Sequence, residues 1–181
     1  WSEERRRDPL LAFTQAMLRL RAELPVLRHN EWLSGEEDED GHRDVAWFSV
    51  WGLPMTQEEW DNPAVRCVGA LLDGRVAAAR PGLSVLLLFN ATPEPVAFTL
   101  PGKNVAPGEW TVRVDTAQGH FEAEDGKRVA AGAKFALESR AMALLTQIPR
   151  DPEPEAEPEP EPEDEEVEAP QLEEPADAKP A

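Results

Sequence analysis

The segment from Asp44 to Gly74 constrains the fold of this chain more than any other stretch of its sequence. It carries an alternating apolar run at 45–50, a break at Gly52-Leu-Pro54, a capping pair at Thr56 and Glu59, and an apolar run from Val65 to Leu72 closed by Asp73-Gly74. The alternation predicts a strand, and the capping pair predicts a short helix. The Asp-Gly pair is common in turns and predicts the end of a second strand.

Beyond this segment the chain continues as short apolar runs separated by Pro-Gly pairs and single glycines. The candidate strands are 44–51, 65–72, 83–90, 95–100, 109–115, 135–137 and 140–146. Several short strands with regular turns predict a mainly β fold, an antiparallel β-sandwich over residues 26–147. About a hundred residues of this pattern can bury a sizeable core.

Residues 8–24 have the pattern of an amphipathic helix. Asp8 can cap it and Pro9 suits its first turn. Its apolar residues recur at spacings of three and four: Leu10, Phe13, Met17, Leu20 and Leu24. Nothing N-terminal to this helix in the chain is long enough to cover that face. We expect the helix to pack on its own domain, with a membrane or a separate partner as the alternative.

The composition changes sharply at the C-terminal end. Residues 151–181 hold fourteen acidic residues and one basic residue, Lys179, so −13 of the net charge of −18 belongs to them and −5 to residues 1–150. The Glu-Pro repeats cannot build a sheet or a long helix, because proline lacks the backbone donor. We predict an extended, disordered tail over 148–181, acting as a spacer or as a docking segment for a basic partner.

Charge and hydropathy limit the kinds of molecule that the chain is expected to bind. The body is mildly acidic, which argues against binding nucleic-acid phosphates. No apolar run reaches the roughly twenty residues that span a bilayer, and no signal peptide is visible after Trp1. The single cysteine, Cys67, lies among apolar residues and is expected to be buried. These features favour a cytoplasmic setting.

No catalytic motif is apparent in the sequence. The three histidines, His29, His42 and His120, lack the paired spacing of a metal site. The glycines form no phosphate-binding loop, and Ser49 and Ser84 lack the Gly-x-Ser-x-Gly pattern. Nothing in the pattern fixes two carboxylates at the separation that glycoside hydrolysis requires. We therefore predict no catalytic residue, no metal and no cofactor in this chain.

The chain has six tryptophans and no tyrosine. Trp47 and Trp110 lie in predicted strands and are expected to fill the core. Trp51 and Trp60 flank predicted turns, so they are candidates for contact with a sugar ring.

Most of the chain, residues 1–147, resembles the C-terminal region of bacterial glycogen debranching enzymes of the isoamylase type, in the alpha-amylase superfamily. The similarity is carried by Asp44-Val-Ala-Trp47, Gly52-Leu-Pro-Met55, Trp60, Leu71-Leu-Asp-Gly74, Leu86-Leu-Leu-Phe-Asn-Ala91, Glu94-Pro-Val-Ala-Phe-Thr-Leu-Pro101, Gly108-Glu-Trp110 and Val114-Asp-Thr116. The order and spacing of these short motifs are more specific than any one of them.

The resemblance implies hydrolysis of α-1,6 branch points in glycogen or limit dextrin by a retaining mechanism. It also implies that residues 1–25 include the last helix of a (β/α)8 catalytic barrel, whose acidic residues would all precede Trp1. The apolar face of this helix would then pack on the barrel. The expected partners are that barrel and, through it, glycogen or another α-glucan. The alternatives are a carbohydrate-binding module, an interaction protein acting through its acidic tail, and a stand-alone hydrolase.

Overall fold

The computed structural model describes residues 9–28, 30–76, 82–122 and 125–150. Over these ranges it has two α-helices, one short 3-10 helix and nine strands. In chain order they are α1 (Pro9–Glu23), the 3-10 helix (Pro25–Arg28), β1 (Val45–Phe48), α2 (Gln57–Asp61), β2 (Cys67–Leu72), β3 (Ser84–Asn90), β4 (Val96–Thr99), β5 (Glu109–Asp115), β6 (Gly119–His120), β7 (Arg128–Ala130), β8 (Lys134–Leu137) and β9 (Ala141–Gln147). The predicted cap at Asp8 and the predicted tail from residue 151 onward lie outside the described residues.

The strands form two antiparallel sheets. Within the described ranges the larger sheet has the order β1-β2-β3-β9-β5-β6, with β7 also paired to β5. The smaller sheet is the β4–β8 pair, in which Phe98 lies opposite Phe135. The chain is therefore mainly β with antiparallel pairing, which confirms the predicted fold class.

The main core lies between the two sheets, because alternate residues of each strand point to opposite faces. Its buried members are Phe48, Cys67, Leu71, Leu86, Leu88, Phe98, Leu100, Ala106, Trp110, Val112, Val129, Phe135, Leu137, Ala141, Ala143 and Leu145. Strand β3 shows the pattern most clearly: Leu86 and Leu88 enter this core, while Val85 is buried on the opposite face. Strand β3 is therefore covered on both faces.

Helix α1 covers the opposite face of the larger sheet. Leu20 and Leu24 are buried there against Val85, Val114 and Leu144. The resemblance implies that this face packs on a catalytic barrel. In the structure, β3, β5 and β9 of the larger sheet cover Leu20 and Leu24 instead. Leu10, at the N-terminal end of this face, and Leu18, on another side of the helix, are exposed.

An ion pair fixes the C-terminal end of α1 to the sheet. The guanidinium of Arg113 in β5 donates to both carboxylate oxygens of Glu23, at 3.0 and 3.1 Å. The Arg113 side chain is 3% exposed and that of Glu23 is 50% exposed. Arg113 occupies the register shift between Val112 and Val114, where β5 is irregular against β9. The bulge thus directs a charged side chain toward the helix.

The predicted strands all occur, with ends that differ by up to three residues. Two short strands, β6 and β7, are not predicted. Each has only two or three residues and no apolar run, so their pairing with β5 depends on tertiary context. The predicted short helix is present as α2, and its capping box is confirmed.

Candidate functional site

An open cleft of about 560 Å³ lies beside the edge strand β1 and helix α2. Its volume falls within the range of small-ligand sites. Apolar and charged side chains share its lining: Gly35, Glu37, Gly41, His42, Arg43, Val45, Ala46, Trp47, Phe48, Pro54, Met55, Trp60, Leu71, Asp73, Arg75, Asn104 and Val105. Trp47 and Trp60 both belong to this lining.

The aromatic part of the cleft is a perpendicular pair of rings. The ring centroids of Trp47 and Trp60 are 5.5 Å apart and their planes meet at 81°. Such edge-to-face contact is the favoured geometry for aromatic pairs. Trp47 is 42% exposed and Trp60 49% exposed, so each ring keeps surface open to solvent.

The capping box of α2 sets the position of Trp60. The backbone N–H of Glu59 donates to Thr56 Oγ1 at 3.2 Å, and the Glu59 carboxylate accepts from the Thr56 N–H at 2.9 Å. The Trp60 N–H donates to the Thr56 carbonyl at 3.1 Å. A helix of one turn depends on such end contacts, because it has few internal hydrogen bonds.

Trp47 is held by strand β1 and by the chain that folds back along it. The Met55 N–H donates to the Trp47 carbonyl at 2.9 Å, and the Ser49 N–H donates to the Leu53 carbonyl at 2.8 Å. Between them Gly52 adopts φ +73°, and a Cβ there would lie 2.7 Å from the Thr99 carbonyl oxygen. Glycine is therefore required at the turn that returns the chain to Trp47.

Two arginine–carboxylate pairs supply the polar part of the lining. Arg43 contacts Glu37 at 2.8 Å. Arg75 and Asp73 form a two-point contact, with the shortest N–O distance 2.6 Å. The charges of these four groups balance, so the lining offers donors and acceptors without a strong excess of either sign.

Asp44 anchors the loop that carries this side of the cleft. Its carboxylate accepts from the N–H groups of Ser34, Gly35 and Val45, at 2.7 to 2.8 Å. Burial alone would raise the pKa of Asp44, but these hydrogen bonds together outweigh burial and lower its pKa. The carboxylate is thus charged at neutral pH and holds the loop as an acceptor.

The sequence predicts Trp47 and Trp110 in the core, but the structure buries only Trp110. Trp110 is fully buried, as predicted. The prediction that Trp47 fills the core is wrong, because Trp47 lies opposite Ala70 on the sheet face away from the main core. That face is covered by α1 over β3, β9 and β5, and Trp47 stands on the edge strand beyond it.

The two tryptophans proposed for sugar contact lie in different places. Trp60 lines the cleft, whereas Trp51 is 68% exposed on the adjacent turn and is not among the lining residues. The partnership of Trp60 with Trp47 was missed. Alternation places Trp47 and the core residue Phe48 on opposite faces of β1, but it does not show that Trp60 lies beside Trp47.

No catalytic constellation is evident among the described residues. They contain no group of three or more His, Cys, Asp or Glu side chains that could hold a metal ion. His42 lines the cleft and His120 lies in β6, while His29 is outside the described residues. Within the described ranges, no helix has both the length and the apolar character needed to cross a membrane.

Cys67 is buried as predicted. Its thiol donates to Asn90 Oδ1 at 3.4 Å. Burial raises the pKa of this thiol, so the group is protonated at neutral pH and a poor nucleophile.

Comparison with known proteins agrees with the resemblance that the sequence motifs indicate. Residues 44–146, more than half of the chain, match the family described as Isoamylase, C-terminal. The chain is 34% identical over 125 residues to the Glycogen operon protein GlgX homolog of Mycobacterium tuberculosis (strain ATCC 25618 / H37Rv), covering 64% of this chain and 17% of that protein. It is 35% identical over 105 residues to the Glycogen debranching enzyme of Dickeya chrysanthemi, covering 58% of this chain and 13% of that enzyme.

A third relative is the Glycogen operon protein GlgX homolog of Haemophilus influenzae (strain ATCC 51907 / DSM 11121 / KW20 / Rd), 27% identical over 125 residues, or 69% of this chain and 16% of that protein. The chain thus spans between 13% and 17% of the length of these three relatives.

Proposed function

Because the chain belongs to the isoamylase C-terminal family, we propose that it is the C-terminal part of an enzyme that hydrolyses α-1,6 branch points in glycogen or limit dextrin. The observation that carries this proposal is the family match over residues 44–146. It is supported by the relatives named for glycogen debranching, which are matched over a small share of their length. In this proposal the chain is a support domain that holds none of the catalytic residues.

The proposed domain organisation has three parts. Residues 1–25 include the last helix of a catalytic barrel, residues 26–147 form the sandwich, and residues 148–181 are the acidic tail. Helix α1 supports this division, since Leu20 and Leu24 are buried against the sheet while Leu10 and Leu18 are exposed. A helix with apolar residues on two sides can join two domains. The partner of its exposed side is then the barrel.

The chemistry of the longer enzyme would be retaining hydrolysis through two carboxyl groups. This chain would contribute the platform on which the barrel rests, with Trp51 and Trp60 as glucan contacts. Trp60 has the stronger support, because it lines the cleft. The same proposal places the enzyme in the cytoplasm, where a lone reduced cysteine such as the buried Cys67 is ordinary.

The test compares this chain with a longer protein that includes the coding sequence upstream of Trp1. Both are incubated with limit dextrin, and new reducing ends are measured. We expect release by the longer protein and none by the 181-residue chain. Reducing ends released by the chain alone would make it a stand-alone hydrolase, and an upstream sequence without a barrel and its three acidic residues would refute the proposal.

A further inference from the structure

The perpendicular arrangement of Trp47 and Trp60 gives the cleft an aromatic surface that turns a corner. The C–H faces of a pyranose ring pack well on aromatic faces, which carry a partial negative charge. A coplanar pair of rings suits a flat ribbon such as a β-1,4-linked glucan. A bent pair suits a chain that curves from one sugar to the next, as an α-1,4-linked glucan does.

The polar lining matches a ligand that is uncharged and rich in hydroxyl groups. Each hydroxyl both donates and accepts, and an arginine beside a carboxylate offers one partner of each kind. The Arg43–Glu37 and Arg75–Asp73 pairs place two such combinations in the cleft. Since the pairs balance in charge, they do not favour a phosphate or a polyamine over a neutral molecule.

The shape of the site favours a small flexible ligand over a protein surface. The cleft is concave and its volume of about 560 Å³ suits a short oligosaccharide. The centres of protein–protein interfaces are depleted in charged residues, whereas five ionisable side chains line this cleft. The walls are also fixed in advance, by the capping box of α2 and by the carboxylate of Asp44, so little ordering is needed on binding.

We propose that this cleft binds a short stretch of α-1,4-linked glucan chain, with Trp47 and Trp60 as the stacking surface and the two arginine–carboxylate pairs as hydroxyl partners. The identity of the glucan rests on the proposed function, whereas the site itself rests on the geometry. The cleft would hold the polymer on the sandwich and raise the local concentration of chains near the rest of the enzyme.

The test is affinity electrophoresis of the 181-residue chain in native gels containing glycogen, followed by calorimetric titration with maltoheptaose and cellohexaose. We expect glycogen to retard the chain and maltoheptaose to bind more tightly than cellohexaose. Trp60→Ala should weaken binding by roughly tenfold or more, as expected for an aromatic anchor. Trp60→Phe should retain an intermediate affinity, because it keeps a ring at the site.

A matched control is available in Trp32→Ala, since the Trp32 side chain is more exposed than that of Trp60 and does not line the cleft. This variant should bind within about twofold of the unmodified chain. Circular dichroism and the unfolding midpoint check that Trp60→Ala is folded.

Three results would overturn the inference: no retardation of the unmodified chain, full binding by a folded Trp60→Ala chain, or equal affinity for the two oligosaccharides. If the longer protein debranches limit dextrin but glycogen does not retard this chain, the glucan site in the cleft is refuted and the proposed function stands. If glycogen retards the chain but the longer protein does not debranch, the proposed function is refuted and the glucan site stands.

Discussion

At the scale of single residues, Gly52 and Asp44 show how the backbone conformation at one position determines the shape of the cleft around Trp47. Gly52 has φ +73° and lies against the backbone of β4, where Thr99 donates its N–H to the Val50 carbonyl at 2.8 Å. Asp44 gathers three backbone N–H groups around one carboxylate. Neither residue contributes much apolar burial, yet both shape the loops on either side of Trp47.

Replacing Gly52 with alanine should lower the free energy of unfolding by about 1–3 kcal/mol, because the added Cβ meets two carbonyl oxygens, at 2.7 and 2.9 Å, in a left-handed conformation. Urea unfolding monitored by tryptophan fluorescence measures the loss. Gly41→Ala is the matched control, since Gly41 has φ +80° and open space around its Cα. Equal losses in both variants would show that steric contact at Gly52 is unimportant.

The Asp44 carboxylate should make stability depend on pH at the acid end. Its pKa is lower in the folded chain than in the unfolded chain. Its contribution is therefore complete above the unfolded value, about 3.9, and is lost as the pH falls through the folded value. Asp44→Asn should cost about 1–2 kcal/mol at pH 7, and this cost should shrink as the pH falls below about 3.9. Urea titrations at pH 7 and at a series of acid pH values, with the exposed Asp40→Asn as control, check this; a cost independent of pH would contradict it.

At the scale of elements, α1 is tied to the sheet by both apolar and ionic contacts. This helix also shows most clearly which features could be predicted from the sequence and which could not. Its periodicity predicted the helix and its apolar face correctly. The partner of that face could not be predicted from spacing alone, because it is built from β3, β5 and β9, which are distant in the chain.

The same limit explains the error at Trp47. Alternation placed Trp47 and Phe48 on opposite faces of β1, but it could not say which face is covered at that edge of the sheet. By contrast, the short helix that carries Trp60 was correctly predicted, since the capping box of α2 is a purely local signal. The cleft joins residues from six separate stretches of sequence, so no local pattern could reveal it.

Leu20→Ala should lower the free energy of unfolding by about 2–4 kcal/mol, because Leu20 is 7% exposed and its removal leaves a cavity between α1 and the sheet. Leu18→Ala, on the same helix but 63% exposed, should change it by less than about 0.5 kcal/mol. Chemical denaturation of both variants gives the comparison. Similar effects would mean that α1 does not rest on the sheet through Leu20.

Glu23→Ala should cost about 1–3 kcal/mol, since it leaves the buried guanidinium of Arg113 without its carboxylate. The loss is smaller than for a fully buried pair, because half of the Glu23 side chain is exposed to water. Glu37→Ala, which breaks the exposed pair with Arg43, is the matched control and should cost no more than about 1 kcal/mol. Thermal unfolding distinguishes the two, and a larger loss from Glu37→Ala would reverse the ranking.

At the scale of the whole molecule, the described strands and most of the negative charge lie in different parts of the sequence. The last described strand, β9, ends at Gln147, and most of the net negative charge follows it. The strands and the buried cores that the structure describes are thus built from residues that precede the acidic segment.

Deleting residues 151–181 should leave the free energy of unfolding unchanged within about 0.5 kcal/mol. If the acidic segment instead serves a basic partner, that complex should dissociate at roughly molar salt, where charges are screened within about 3 Å. Denaturation of the shortened chain tests the first expectation. A clear loss of stability would show that the segment packs on the sandwich, and binding unchanged in molar salt would show that charge does not drive docking.

The position of β9 has a consequence for how the chain reaches its fold. Among the described strands this one comes last in the chain, yet it lies in the middle of the larger sheet between β3 and β5. Asn90 pairs with Ala141, far along the chain, so the sheet closes only through distant contacts, which slow folding. Until β9 arrives, β3 and β5 present unpaired edges that can capture another chain. Synthesis order thus makes the centre of the sheet its last and most vulnerable part to assemble.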